Sequence, residues 1–212
     1  MFARQSNDNI QTSIVKSVNY WNKNNIGLLT GQSGIFLLSH IWQVSLVLNG
    51  YDIHTIDCAM RFNAFSLVNE ALRNDIHPES ILNKIMVRRA FTPYQILDAI
   101  YSTMIQFRPG ANDVYFLLAP CKQFFDGDVS FDEGLFLLHK LTSYFKIIRQ
   151  KSIPLIVVEK QSYPNPIFNS IFPKICQLAS PVWNLKLVEK EFESRYAMRI
   201  SKIDRKQNNV IK

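Results

Sequence analysis

The chain has 212 residues, a formal net charge of +7 and an apolar fraction of 47%. That length suits a single domain with a substantial core, and the apolar fraction excludes a disordered chain. No apolar run reaches the roughly 18 residues that a membrane-spanning helix needs. The polar segment 1–11 also lacks the apolar core of a signal peptide. We therefore expect an intracellular protein with no membrane partner. Its positive charge favours nucleic acid or an acidic protein surface, with a merely solvated basic surface as the alternative.

The predicted elements alternate between apolar strands and amphipathic helices. The strands are Ile26–Leu29, His54–Asp57, Val114–Ala119 and Pro154–Val158, and the helices are Ile35–Leu48, Ala64–Asn74, Thr92–Gln106 and Phe131–Gln150. Such alternation predicts an α/β fold whose mostly parallel central sheet is covered by helices on both faces.

Near the C-terminus the pattern changes to strict alternation. Apolar and polar residues alternate from Trp183 to Leu187 and again from Tyr196 to Ser201, which predicts an antiparallel hairpin at one end of the sheet. We divide the chain into an N-terminal arm or short helix (1–20), one core domain (21–204) and a basic flexible tail (205–212).

The three cysteines and four histidines do not predict a metal site. They form no CxxC pair and show no ligand spacing, so neither a disulfide framework nor a zinc site is expected. Cys58 and Cys121 each lie near a strand end. No histidine base accompanies either of them, and we interpret both as small core residues.

The segment after the first strand has the setting of a phosphate-binding loop without its chemistry. It reads Leu29-Thr30-Gly31-Gln32-Ser33-Gly34-Ile35-Phe36. A P-loop requires Gly-x-x-x-x-Gly-Lys-Ser/Thr, so that backbone N–H groups surround the phosphates. The lysine then binds the negative charge of the phosphates, and the hydroxyl holds Mg²⁺. Here the glycines are two residues too close, and two apolar residues follow them.

Further motifs follow in a fixed order along the chain. They are Ile56-Asp57-Cys58-Ala59-Met60-Arg61-Phe62, Arg89-Ala90-Phe91, Ile156-Val157-Val158-Glu159-Lys160-Gln161 and Arg199-Ile200-Ser201-Lys202-Ile203. With this order the chain, over residues 20–204, resembles the ATPase core of the RecA/RadA strand-exchange recombinases. It is particularly similar to their eukaryotic accessory paralogues. The resemblance implies a RecA-like core.

The departures from that family fall on its catalytic positions. The degenerate nucleotide-site positions are Gly31, Gly34, Ile35 (family Lys), Phe36 (family Ser/Thr), Ala59 (catalytic Glu), Ala119 (the Asp that helps hold Mg²⁺) and Gln161 (a polar residue that senses the γ-phosphate). Apart from the two loop glycines, only Gln161 keeps the family's residue type. The resemblance therefore implies a protein without catalytic residues, bound metal or cofactor that does not hydrolyse ATP.

As partners, the resemblance implies another recombinase paralogue, in a heterodimer or larger complex, and a recombinase filament. Single-stranded DNA is a possible further partner. The corresponding function is homologous recombination and DNA repair, in the nucleus of a eukaryote or otherwise in the cytoplasm. Two alternatives stay open: a stand-alone α/β protein that binds nucleic acid, and an enzyme with a site unrelated to a P-loop.

Basic and aromatic residues provide the candidate contacts to DNA or to a partner. They are Arg88, Arg89, Lys160, Tyr163, Lys174, Lys202, Arg205 and Lys206. All of them except Arg88, whose role stays open, have a structural alternative. Arg89 can anchor a strand end. The segment 160–174, where the family has its first DNA-binding loop, can pack on the core through Phe168 and Phe172. The basic tail can simply be solvated.

Overall fold

The computed structural model describes residues 14–190 and 193–201, and the side chains of residues 14–186. The strands are β1 (Ile26–Gly31), β2 (Asp52–Asp57), β3 (Ile85–Arg89), β4 (Asp113–Leu118), β5 (Leu155–Lys160), β6 (Val182–Lys190) and β7 (Glu193–Ser201). The helices are α1 (Ile35–Leu48), α2 (Ala64–Arg73), α3 (Pro78–Leu82), α4 (Pro93–Gln106), α5 (Phe131–Gln150) and α6 (Pro166–Leu178).

All the strands form one sheet in the order β3-β2-β4-β5-β1-β6-β7. Every pairing among the first six strands in that order is parallel. The predicted α/β fold with a parallel central sheet and helices around it is therefore confirmed, and its strand order fits a RecA-like α/β core. The backbone of β7 lies antiparallel to β6. The link between them, residues 191–192, lies outside the described residues, so the closing hairpin stays a prediction.

Helices cover both faces of the sheet. On one face α1 and the segment before β1 bury Ile14, Val18 and Trp42 against the strands. On the other face α4, α5 and α6 bury a larger cluster that includes Phe145 and Phe168. Because β1, β4 and β5 are covered on both sides, their side chains form near-continuous apolar runs, which is why the sequence predicts these strands well.

The described part of the predicted arm and tail is small. Residues 14–16 are helical, and a 3-10 turn follows at Ser17–Tyr20. Residues 1–13 and 202–212, which include the whole predicted tail, lie outside the described residues. Within 14–190 and 193–201, no helix has both the length and the apolar character that a membrane crossing requires.

Helix α6 corrects one expectation from the sequence. The segment 160–174 is not one loop, because a helix begins at Pro166. The Asn165 side chain accepts the backbone N–H of Ile167 at 2.9 Å and so caps the helix. Pro166 stands in the first turn, where a backbone N–H would have no acceptor within the helix, so the helix loses no hydrogen bond there. Phe168 and Ile171 are buried on its inner face. The alternative in which Phe168 packs on the core is the correct one.

Candidate functional site

Four of the predicted nucleotide-site segments meet at one edge of the sheet. The carboxyl ends of β1, β2, β4 and β5 lie side by side because these strands are parallel neighbours. Ligands of open parallel sheets bind outside this edge. Ala59 follows β2, Ala119 follows β4, and Gln161 follows β5. The backbone N–H of Gln161 donates to the Gly31 carbonyl at 3.1 Å, which joins the segment after β5 to the end of β1.

The loop between β1 and α1 is short and closely packed. A Cβ added at Gly31 would lie 2.4 Å from the carbonyl oxygen of Leu185, so β1 and β6 approach through this glycine. Gly34 has a φ of 75°, in the left-handed region that glycine tolerates. The turn is therefore shaped to connect the strand directly to the helix.

The side chains after this loop face the core. Ile35, at the position that the resemblance assigns to the family's lysine, is 1% exposed and packs in the apolar cluster beneath α1. Phe36, at the position that it assigns to the hydroxyl residue, is partly buried against the same cluster. The guanidinium carbon of Arg61 lies 5.4 Å from the centre of the Phe36 ring. Neither apolar side chain offers a group that binds phosphate or metal.

Asp57, the last residue of β2, has a fully buried carboxylate. One of its oxygens accepts the backbone N–H of Arg61 at 2.8 Å, and the other accepts that of Phe62 at 3.2 Å. A longer contact of 3.4 Å joins it to the N–H of Ala59. These donors fold the turn after β2 around the carboxylate, which is therefore occupied by its own chain.

Glu159, near the end of β5, has a second fully buried carboxylate. It accepts the backbone N–H groups of Cys121 and Lys160, each at 2.8 Å, and the hydroxyl of Tyr163 at 2.8 Å. Burial raises the pKa of Glu159, and these three donors oppose that rise. The carboxylate ties the turn after β4 to the turn after β5.

Cys58 and Cys121 lie beside these carboxylates as free, buried thiols. Burial, followed by the nearby charge of Glu159, raises the pKa of both thiols well above their ordinary value. A thiol is a nucleophile only as a thiolate, so neither cysteine is activated here. The geometry agrees with their interpretation as core residues.

Two alanines, at the positions that the resemblance assigns to the family's catalytic carboxylates, offer no oxygen ligand. Ala119 is 2% exposed and has a φ of 50°. Its backbone N–H donates to the Val158 carbonyl at 2.8 Å. Ala59 lies in the turn around Asp57. Among the side chains that the structure describes, no group of three or more His, Cys, Asp or Glu residues is placed to hold a metal ion.

The candidate DNA or partner contacts are spread over the molecule. Arg88 is exposed on β3 and pairs with Asp98 of α4 at 2.7 Å. Arg89, also exposed, ends β3. The Tyr163 ring packs edge-on against Phe168, at 4.8 Å between ring centroids, so it is not free to stack on a base. Lys160 lies over the Tyr163 ring, whereas Lys174 is exposed on α6. Lys202, Arg205 and Lys206 lie outside the described residues.

Two surface grooves were not predicted from the sequence. One runs between α5 and α6 and is lined by lysines. The other lies between α4 and the edge of the sheet, where His54 contacts the Asp113 carboxylate at 3.0 Å and stacks on Tyr115. The residues that line each groove come from separate elements, so no local sequence motif predicts either groove. Helical spacing of Lys140, Ser143 and Lys146 was the only signal for the first groove.

Comparison of the chain with known protein families and with curated proteins finds no match to either.

Proposed function

We propose that the chain is a catalytically inactive recombinase paralogue that acts by binding in homologous recombination and DNA repair. The observation that carries the proposal is the buried Ile35 at the position where a P-loop has its lysine. The turns after β2 and β4 carry Ala59 and Ala119 where the family has its catalytic carboxylates. These losses follow three different strands of a sheet whose order fits a RecA-like core. Loss of one ancestral site accounts for all of them together.

Phosphoryl transfer depends on a positioned lysine, on Mg²⁺ and on an oriented nucleophile. The carboxylates that remain at this edge, Asp57 and Glu159, accept hydrogen bonds from their own chain and are fully buried. They do not replace the missing groups. The proposed activity is therefore binding: the chain pairs with another paralogue and caps or remodels a recombinase filament on single-stranded DNA, in the nucleus of a eukaryotic cell.

Exposed apolar side chains support a role in protein contact. Those on β3, on α4 and on the link between these two elements are Met86, Val87, Phe91, Tyr94, Tyr101 and Ile105. Exposed apolar side chains that form a continuous patch are typical of protein interfaces.

Affinity purification of the full-length chain from its source cells tests the proposal. The expected result is a RecA-type protein with an intact P-loop that co-purifies in stoichiometric amount, while the purified chain alone shows no Mg²⁺-dependent ATP turnover. ATP turnover that is abolished by Gly34→Ala would contradict the proposal. Salt-sensitive binding of single-stranded DNA by the chain, with no co-purifying paralogue, would favour the stand-alone nucleic-acid-binding alternative.

A further inference from the structure

Helices α5 and α6 form the walls of a surface groove with a volume of about 650 Å³. Lys140 and Lys146 of α5 line it together with Lys174 of α6. His139 adds a fourth basic side chain. Among the described residues, no acidic side chain lines the groove, and no ion pair involves these three lysines. The groove therefore concentrates positive charge that is not neutralised nearby.

Apolar side chains contribute to the same lining. Phe136 is 67% exposed, and Leu178 lies on the opposite wall. An exposed aromatic ring next to charged side chains combines the two parts of a protein interface, which are an apolar anchor and a charged rim. Along α5, Phe136, Lys140, Ser143 and Lys146 recur at helical spacing and so share one face. That face is about 15 Å long from first to last residue.

Charge selects the occupant of this groove. A second copy of the chain carries the same net charge of +7, and the tail 205–212 is itself basic, so both would be repelled. Single-stranded nucleic acid has the right sign, but sites that bind it stack successive bases on several aromatic rings. The groove offers one phenylalanine. A groove between two helices instead accepts a third, amphipathic helix.

We propose that the α5–α6 groove docks an acidic amphipathic helix of a partner protein. Its carboxylates face Lys140, Lys146 and Lys174, and its apolar face covers Phe136. This inference goes beyond the proposed function, because it requires neither a recombinase partner nor the loss of a nucleotide site. It can hold or fail independently of them.

Peptide selection tests this docking site. A phage-displayed library of random peptides, about sixteen residues long, is selected on the full-length chain after depletion on a groove variant. The groove variant carries Lys140→Gln, Lys146→Gln and Lys174→Gln. A control variant makes the same charge change at exposed lysines elsewhere, with Lys16→Gln, Lys122→Gln and Lys186→Gln. All six side chains are exposed, so both variants should keep the melting temperature within about 2 °C.

The expected peptides are rich in Asp and Glu, with apolar residues at helical spacing. By fluorescence anisotropy, the groove variant should bind a selected peptide at least about tenfold more weakly, and the control variant less than about twofold. Phe136→Ser should weaken binding about tenfold without any change in charge.

Four results would overturn the proposal. They are a selection that enriches no peptide, peptides without an acidic excess, equal weakening in the groove and control variants, and binding that is insensitive to Phe136→Ser. A labelled oligothymidine that displaces the peptide, and that loses more affinity than the peptide in the groove variant, would assign the groove to nucleic acid instead.

Discussion

His40 is a buried residue whose protonation opposes folding. It lies on α1 and is 2% exposed. Its Nε2 accepts the backbone N–H of Asn63 at 3.2 Å, so the ring is neutral with its proton on Nδ1, where it meets no hydrogen-bond partner. Burial lowers the pKa of His40 to about 4, although the charge of Asp57 acts in the opposite direction.

The lowered pKa of His40 predicts acid sensitivity. The unfolded histidine binds a proton near pH 6.5, whereas the folded one does so only near pH 4. The neutral His40 ring therefore contributes its full share of the free energy of unfolding above pH 6.5, and this contribution is lost as the pH falls towards 4. A difference of this size corresponds to about 3 kcal/mol. Urea titrations of wild type and His40→Gln between pH 7 and 4 should show this loss in the wild type alone, since glutamine can still accept the N–H of Asn63.

Two features keep this test specific. Burial raises the pKa of Glu159, so its contribution changes in the opposite direction and falls as the pH rises through its folded pKa. Glu159 is the same in both proteins, and the difference between their curves isolates His40. His77 is exposed and serves as the control through His77→Gln. Parallel curves for wild type and His40→Gln would contradict the assignment.

At the scale of elements, the contact between β1 and β6 depends on one glycine. The parallel pairing of the two strands places Gly31 opposite Leu185, and a methyl group at Gly31 would lie 2.4 Å from the carbonyl oxygen of that residue. The obstacle is backbone, which cannot rotate away as a side chain can. Gly31→Ala must therefore push two neighbouring strands apart.

We expect Gly31→Ala to lower the free energy of unfolding by about 3 kcal/mol, at the upper end of overpacking effects. Chemical denaturation at pH 7 measures this change. Gly127→Ala is the matched control, because a Cβ at Gly127 meets no atom within 4 Å and should leave stability within about 0.5 kcal/mol of wild type. Equal effects of the two substitutions would show that β1 and β6 are not held at this distance.

The elements also differ in how far the sequence predicts them. Long apolar or amphipathic runs, such as α1 and α5, are predicted from the sequence with the same first and last residues that the structure gives them. Strand β3 was missed because it is a short edge strand whose side chains are mostly exposed, so it lacks the alternation of a half-buried strand. Helix α6 was missed because three prolines between residues 164 and 173 suggest a loop, although one of them opens the helix.

The candidate site required the whole fold. The sequence identified which residues stand at the positions that the resemblance assigns to the family's lysine and carboxylates, since those positions are local to strand ends. It did not reveal that Asp57 and Glu159 are buried acceptors, because their partners are mainly backbone N–H groups of turns whose shape no motif records. Nor did it reveal that α5 and α6 bring three lysines to one groove. Such features depend on tertiary contacts between distant segments.

On the scale of the whole molecule, the edge that carries the proposed nucleotide-site positions is built from core residues. Introducing the recombinase family's residues there should therefore destabilise the protein rather than activate it. Ile35 and Ala119 are 1% and 2% exposed, so a lysine or an aspartate there is buried without a partner, at about 3 kcal/mol or more for each. The glycines of the loop also remain two residues too close to surround a phosphate.

The variant Ile35→Lys/Phe36→Thr/Ala59→Glu/Ala119→Asp tests this conclusion. We expect it to unfold at markedly lower denaturant concentration than wild type and to show no Mg²⁺-dependent ATP turnover. Ile35→Val, which removes one methylene group and no more, should cost only about 1 kcal/mol and separates the effect of charge from that of lost packing. A folded quadruple variant that hydrolyses ATP would show that the short loop can still hold a nucleotide, and that the edge is a dormant site. Since charge burial and loop length act independently, we expect every subset of the four substitutions that includes Ile35→Lys to be less stable than wild type and to show no ATP turnover.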